Sequence, residues 1–278
     1  MSVIEFTLIV LIGSCFAGLV GSLTGLGGGF IIIPLLTIFL HVDIKYAIGA
    51  SLVSIIATSS GSAAAYVKEG ITNMRLGMFL EIATTLGAVC GAMLAMYIPT
   101  HYLAIILGVI LILSALLSLR KKAQQIVTHK NDLAAKLKLN GSYPTADGVV
   151  NYHVSKVGGG FVVMLFAGLL SGLLGIGSGA LKVLAMDSIM RIPFKVSTTT
   201  SNFMIGVTGA ASAVVYLQRG YIDPEIAMPV VIGVLIGALV GSKILVNSTS
   251  SGWLRWTFVV VVIFLASQLI YNGIMGKI

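Results

Sequence analysis

The chain has 278 residues, of which 57% are hydrophobic and 9% charged, with a formal net charge of +8. Soluble domains hold roughly 45–50% apolar and about 25% charged residues, and nine acidic and seventeen basic side chains cannot coat a water-soluble molecule of this size. The composition excludes a soluble enzyme, a nucleic-acid reader and a disordered chain, and calls for a polytopic membrane protein.

Apolar runs of bilayer length, about 20 residues each, lie near 6–24 (extended by 30–40), 46–67, 76–98, 102–119, 158–174 (extended by 180–190), 197–217, 226–246 and 254–275. The ten-residue alternation of a transmembrane barrel is absent, so an all-α fold of about eight transmembrane helices is expected. The first run has no Lys or Arg before it and leads into more membrane sequence, which argues against a cleaved signal peptide. Between the fourth and fifth runs stand Arg120, Lys121, Lys122, Lys130, Lys136, Lys138 and Lys156, against Asp132 and Asp147, a net +5 of the total +8. Such a loop marks cytoplasmic exposure, here of residues 121–157 in a protein of the cell membrane. Its Pro144–Gly148 turn and the β character of Val149–Val154 leave open a small hairpin or a flexible linker. Cys15 and Cys90 both sit in apolar runs, so no disulfide framework is implied.

The chain also matches itself at an offset of 150 residues. Phe16–Leu19 falls on Phe166–Leu169, and Gly25, Gly27 and Gly29 fall on Gly175, Gly177 and Gly179. Lys45/Lys195, Ser51/Ser201, Thr58/Thr208 and Tyr66/Tyr216 keep the register. Apolar composition alone produces coincident Leu and Val, but not aligned Lys, Tyr and spaced glycines. The expected organisation is a first membrane repeat (1–120), the basic loop (121–157) and a second repeat (158–278). With the basic loop inside, Lys68, Arg75 and Arg219 are expected inside too, and Lys45 and Lys195 on the outer face. Four crossings per half make the repeats parallel; a re-entrant half-helix within the long first segment would invert them.

Two glycine-rich stretches interrupt the first segment of each half: Thr24-Gly25-Leu26-Gly27-Gly28-Gly29-Phe30 and Leu174-Gly175-Ile176-Gly177-Ser178-Gly179-Ala180. Apolar membrane sequence on both sides of the first excludes a dinucleotide fold. Alternating glycines weaken a helix by about 1 kcal/mol each relative to Ala, and unwound backbone within a bilayer persists only where protein or a wet cavity covers it. Two helix starts facing such a cavity would present free N–H groups to an anion. Close helix packing is the competing reading for these glycines, and it is preferred for Gly87/Gly91 and Gly233/Gly237/Gly241. Gly25, Gly27, Gly28, Gly29, Gly175, Gly177, Ser178 and Gly179 are thus candidate substrate-binding positions.

Charges inside spans are costly and mark function by default. Lys182 follows the second break, where the first half has Ile32; it could complement an anion, pair with Asp187 or reach an interface. Glu81, matched by Val231, could accept a proton for coupled transport or pair with Arg75 or Lys68. Lys45 and Lys195 could anchor at the interface or attract and gate anions. The polar run Ser197–Asn202 exceeds what helix capping requires, so Ser201 and Asn202, with Ser51, Thr58 and Thr208, join the candidate binding set.

No catalytic constellation, zinc-ligand spacing or Walker lysine motif is present, so neither enzyme activity, a metal nor a cofactor is expected. The stretch Gly25–Phe30 followed by Ile31-Ile32-Ile33-Pro34-Leu35-Leu36, with its degenerate copy at Gly175–Leu184, resembles the signature of the TauE/SafE sulfite exporter family, and the resemblance spans essentially the whole chain. It implies a secondary transporter exporting sulfite or an organosulfonate such as sulfoacetate. A carrier of another small organic anion, or a proton-coupled cation carrier centred on Glu81, is the alternative. The expected partners are a small anion and the lipid bilayer, without nucleic acid; a homodimer is one assembly open to such a chain. The second copy departs from the signature, with Ser178 in place of a glycine, Leu184 in place of Pro34, and Lys182.

Overall fold

The structure, a computed structural model, describes residues 3–24, 27–119, 132–145, 148–247 and 252–276. Helix α1 (Val3–Thr24) precedes a short α2 (Gly29–Pro34) that continues into a π-helical turn, Leu35–Phe39. Helices α3 (Ile44–Lys68), α4 (Met74–Tyr97) and α5 (Thr100–Leu119) follow. A short α6 (Asp132–Lys136) leads to strands β1 (Gly141–Thr145) and β2 (Gly148–Tyr152). Then come α7 (Val157–Leu174), α8 (Gly179–Leu184) with its own π-helical turn Ala185–Ile189, α9 (Phe194–Gln218), α10 (Pro224–Asn247) and α11 (Gly252–Ile274). From α2 to α4 the element bounds recur in α8 to α10 at the 150-residue offset of the self-match. The second π-helical turn forms with Leu184 where the first half has Pro34, so the missing proline N–H is not its cause.

Six described helices are long and apolar enough to cross a membrane, against the eight expected; α5 and α11 contribute shorter apolar stretches, Thr100–Leu116 and Val262–Ile274. On α4 the large side chains Met78, Ile82, Leu86 and Met93 point outward, while Gly77, Leu80, Thr84, Gly87, Ala88 and Gly91 are buried. A helix with an apolar outer face and small, partly polar residues inside suits lipid rather than water. The fold is that of an all-α polytopic membrane protein.

Glycine sets the main packing seams, as expected for Gly87/Gly91 and Gly233/Gly237/Gly241. A Cβ at Gly87 or Gly91 would overlap the carbonyl oxygens of Leu165 or Leu169 on α7, and one at Gly168 or Gly172 those of Thr84 or Ala88 on α4. Helices α1 and α10 meet in the same way: Gly237 lies on the carbonyl of Cys15, and Gly18 on that of Val234. Backbones can approach this closely only where side chains are missing. Each seam thus joins the first helix of one half to a later helix of the other.

These contacts also give the helix directions. Along the α3–α9 contact, Ile55 meets Gly209 and Ser59 meets Gly206; along α5–α11, Gly108 meets Ile270 and Gly273 meets the His101 carbonyl. Both pairs of matching helices are antiparallel, which overturns the parallel arrangement of the halves. The cause lies in the broken first segments. Gly28 lies beside Ala17 and Leu35 packs on Gly13, so α2 returns along α1; likewise Met190 packs on Gly160, and α8 returns along α7. Each broken segment is a re-entrant hairpin that ends near the face where it began. Three further helices then carry the chain to the opposite face.

Two more placements change as a consequence. Asn73 of the α3–α4 turn donates through Nδ2 to the Leu139 carbonyl (2.9 Å) and the Tyr152 hydroxyl (2.8 Å), and its backbone N–H reaches Thr200 at the start of α9. The α9–α10 turn lies at the other end, where Tyr221 packs edge-on against Tyr46 and under Lys45. Arg219 therefore sits opposite the basic-loop end rather than with it. Lys45 and Lys195 mark opposite ends, not one outer face. Within the loop the hairpin alternative is correct: β1 and β2 pair antiparallel, with Gly141 opposite Tyr152. Leu139, Tyr143 and Tyr152 are buried in one apolar cluster with Leu76 and Leu80 of α4, Met186 and Met190 after α8, and Val196 of α9.

Candidate functional site

The two glycine breaks meet. Gly27 (φ +78°) and Gly177 (φ +71°) both lie against Ile55 of α3 and Ile205 of α9, which are themselves separated by 150 residues. The positive φ suits glycine, and at Gly177 an added Cβ would come within 2.8 Å of Ile205. Gly29 packs on the Ser51 hydroxyl and the Gly175 carbonyl. Gly25 lies outside the described residues.

Unwound backbone in a membrane needs its polar groups satisfied from elsewhere, and several candidate residues do this. The Ser51 hydroxyl donates to the Gly175 carbonyl (2.6 Å), and Ser201 to that of Gly179 (3.3 Å). The Ser22 carbonyl, near the end of α1, accepts from Tyr66 (3.0 Å) and from the Asn202 amide (3.2 Å). Tyr216 serves the Leu173 carbonyl of α7 (3.3 Å), so the paired tyrosines of the self-match do the same work in each half. Thr58 bonds only locally, to the Ser54 carbonyl (2.9 Å). Much of the polar set thus holds the breaks open. Ser178 differs: it is a non-glycine residue at φ +47°, buried, and its hydroxyl has no partner. With Phe30, Ile176, Gly179 and Ala180, and with Leu111, Ser114 and Val262 of α5 and α11, it lines a partly open pocket of about 20 Å³. That volume accommodates about one water.

Beside the second break lies a charged cluster drawn from three helices. The Lys182 ammonium on α8 donates to the Thr208 hydroxyl on α9, which donates to Glu81 Oε1 on α4 (2.6 Å). Thr85 donates to the same carboxylate oxygen (3.3 Å), and Thr84 lies 3.4 Å from Thr208 Oγ1. Lys182 is fully buried and Glu81 is 6% exposed. Glu81 Oε2 is buried with no hydrogen-bond partner. Pairing of Glu81 with Arg75 or Lys68 near the surface is therefore overturned, and the link found for Lys182 is Thr208 and Glu81. The matching positions Ile32, Thr58 and Val231 cannot repeat the cluster, so it belongs to one half-interface only. Three of the candidate residues are brought together here, whereas Lys45 and Lys195 stand at the two ends.

Sequence reading missed Ile55 and Ile205, ordinary apolar residues in apolar helices, and the Asn73–Tyr152 tie between two loops. Their only signal was the offset of 150 for the isoleucines; the tie had none.

Among the described residues no group of three or more His, Cys, Asp or Glu side chains could hold a metal ion. Broken re-entrant helices around a buried charge pair define a multi-pass membrane transporter. The chain belongs to the TauE/SafE sulfite exporter family, whose model matches residues 10–269. It is 30% identical to the probable membrane transporter protein YunE of Bacillus subtilis, covering 98% of this chain and 100% of that one. It is 28% identical to YdhB of the same organism, with 81% and 85% covered, and 23% identical to the probable transporter MJ0441 of Methanocaldococcus jannaschii, with 85% of each covered. No solved structure matches it significantly.

Proposed function

We infer that the chain is a secondary transporter that exports a small sulfur-containing anion, sulfite or an organosulfonate such as sulfoacetate, across the cell membrane. The observation that carries this reading is Lys182, a fully buried cation three residues beyond a glycine break. A buried charge is tolerated only with a partner, and a small anion is the partner a carrier can exchange. The family's description supports sulfite or its relatives as that anion. The binding region comprises the two breaks, Ser178, Lys182 and the hydroxyls around Ile55 and Ile205. Two duplicated four-span halves in opposite orientation surround it, and exchange of their conformations gives alternating access.

The charge distribution supports placing the loop end in the cytoplasm. Lys68, Arg75, Lys136, Lys138, Lys156, Arg191, Lys195 and Lys243 lie toward it with Glu69, Asp132 and Asp187, whereas the other end carries Lys45 and Arg219 with Glu5, Asp43, Asp223 and Glu225. The bias is that of cytoplasmic loops. Lys182→Ala should lower anion efflux from proteoliposomes at least tenfold while the protein still elutes as a folded species in detergent. Unchanged efflux removes Lys182 from the site. In a thermal-shift screen, sulfite, sulfoacetate or thiosulfate should stabilise the purified protein; stabilisation by a cation instead would overturn the reading.

A further inference from the structure

Lys182 has a carboxylate linked to it through a hydroxyl. The chain of donors runs one way, from the Lys182 ammonium to Thr208 Oγ1 and from Thr208 to Glu81 Oε1. Thr208 has an alternative acceptor, the Met204 carbonyl at 2.9 Å, so its proton can turn from Glu81 without being stranded. Glu81 Oε2 faces no donor. The pair lies in the interior, between α4, α8 and α9.

Other ionisable groups on these and the packed helices are few. Helix α4 carries Arg75, Cys90 and Tyr97 away from Glu81, and α7 carries none between Val157 and Leu174. Asp187 is on the π-helical turn after α8, and α9 holds Lys195 near its start and Tyr216 near its end. Helix α3 has Lys45, Tyr46, Tyr66 and Lys68 near its ends, and α5 has His101 and Tyr102. Among the described residues, Glu81 and Lys182 are the ionisable groups that meet at Thr208.

With both groups charged, the buried pair is neutral overall. A bound anion at Lys182 would add one negative charge (hydrogensulfite) or two (thiosulfate, sulfoacetate) to a low-dielectric site, where an uncompensated charge is expensive. A proton on Glu81 cancels one of these charges and restores neutrality for the monoanion. We propose that Glu81 is the internal counter-ion of Lys182, which the substrate anion replaces, taking one proton onto its carboxylate as it does so. An O–H bond forms at Oε2 when the anion enters; it breaks when the anion leaves, and the carboxylate returns to Thr208 and Lys182. The empty carrier can then cross without a bare buried ammonium. The loaded carrier crosses with anion and proton together, and its flux follows those two gradients. This inference rests on the anion-transport reading and names its coupling ion.

The test separates net flux from exchange in proteoliposomes loaded with sulfoacetate, thiosulfate or sulfite. Wild-type protein should release protons with the anion, after correction for the anion's own ionisation, and its apparent affinity should rise about tenfold per pH unit lowered, as linkage of one proton requires. Glu81→Gln keeps the size but holds no charge opposite Lys182. It should lose net efflux at least tenfold while retaining anion-for-anion exchange within about twofold, without pH dependence. Glu81→Leu should give the same split if Glu81→Gln does not fold, and Glu81→Asp, which keeps the charge, should restore net efflux. Equal loss of exchange and net flux in a folded variant, or wild-type net flux in both variants, would overturn the counter-ion role while leaving anion transport standing. Failure of the wild-type protein to move any of the three anions would overturn both.

Discussion

At the scale of single residues, two substitutions at the second break have opposite expected signs. Ser178 holds φ +47° with an unpartnered buried hydroxyl. Ser178→Gly removes both penalties and should raise the unfolding free energy by roughly 1 kcal/mol, read as a higher melting temperature in detergent. Gly177→Ala puts a Cβ at φ +71°, within 2.8 Å of Ile205, and should lower stability by about 1–3 kcal/mol. The sequence marked Lys182, Glu81 and Thr208 one at a time, because each is polar where apolar residues are expected. It could not show that they meet. Thr208 is 26 residues from Lys182 and 127 from Glu81, and no local pattern reports contact between three helices.

Among the elements, seams were more legible than ties. Glycines four residues apart on a helix expose backbone along one face, and that regularity survives in one dimension. Gly91→Val should drive α4 from the Leu169 carbonyl of α7 and cost roughly 1–3 kcal/mol or more, measured as lost monodisperse yield and a lower melting temperature. Gly158→Ala, with nothing within 4 Å, is the matched control and should be neutral or slightly stabilising. The hairpin was legible only as one alternative, and its attachment not at all. Burial raises the Tyr152 phenol to about 12, although the Asn73 hydrogen bond works the other way. The folded protein therefore keeps this proton to higher pH than the unfolded chain does. The stability contributed is complete below about pH 10 and is lost as pH rises towards about 12. Tyr152→Phe should flatten that part of the alkaline unfolding curve.

For the whole molecule, parity was the decisive quantity. Hydropathy found the apolar segments but cannot record that α2 and α8 turn back, and one missed reversal inverts the rest of a half. The glycine breaks that signalled a site were also the signs of that reversal. Opposed orientation predicts an accessibility pattern: in a protein with Cys15 and Cys90 replaced by Ser, single cysteines at Lys45 and Lys195 should react with an impermeant maleimide from opposite sides of the membrane. Labelling of both from one side would contradict the topology. Arg219→Cys should follow Lys45, and Arg75→Cys should follow Lys195.

The tie made by Asn73 makes the two ends of the molecule unlike one another. Its three bonds to Leu139, Tyr152 and Thr200 latch α4, α9 and the hairpin together where the loop lies. At the opposite end the matching residue, Asp223, bonds through its side chain to the nearby Glu225 N–H, within its own helix start. Any motion that draws α9 from α4 on the loop side must release that latch. Of the three, the bond to Thr200 is the one that reaches α9, and at about 1 kcal/mol it slows such a motion by roughly fivefold.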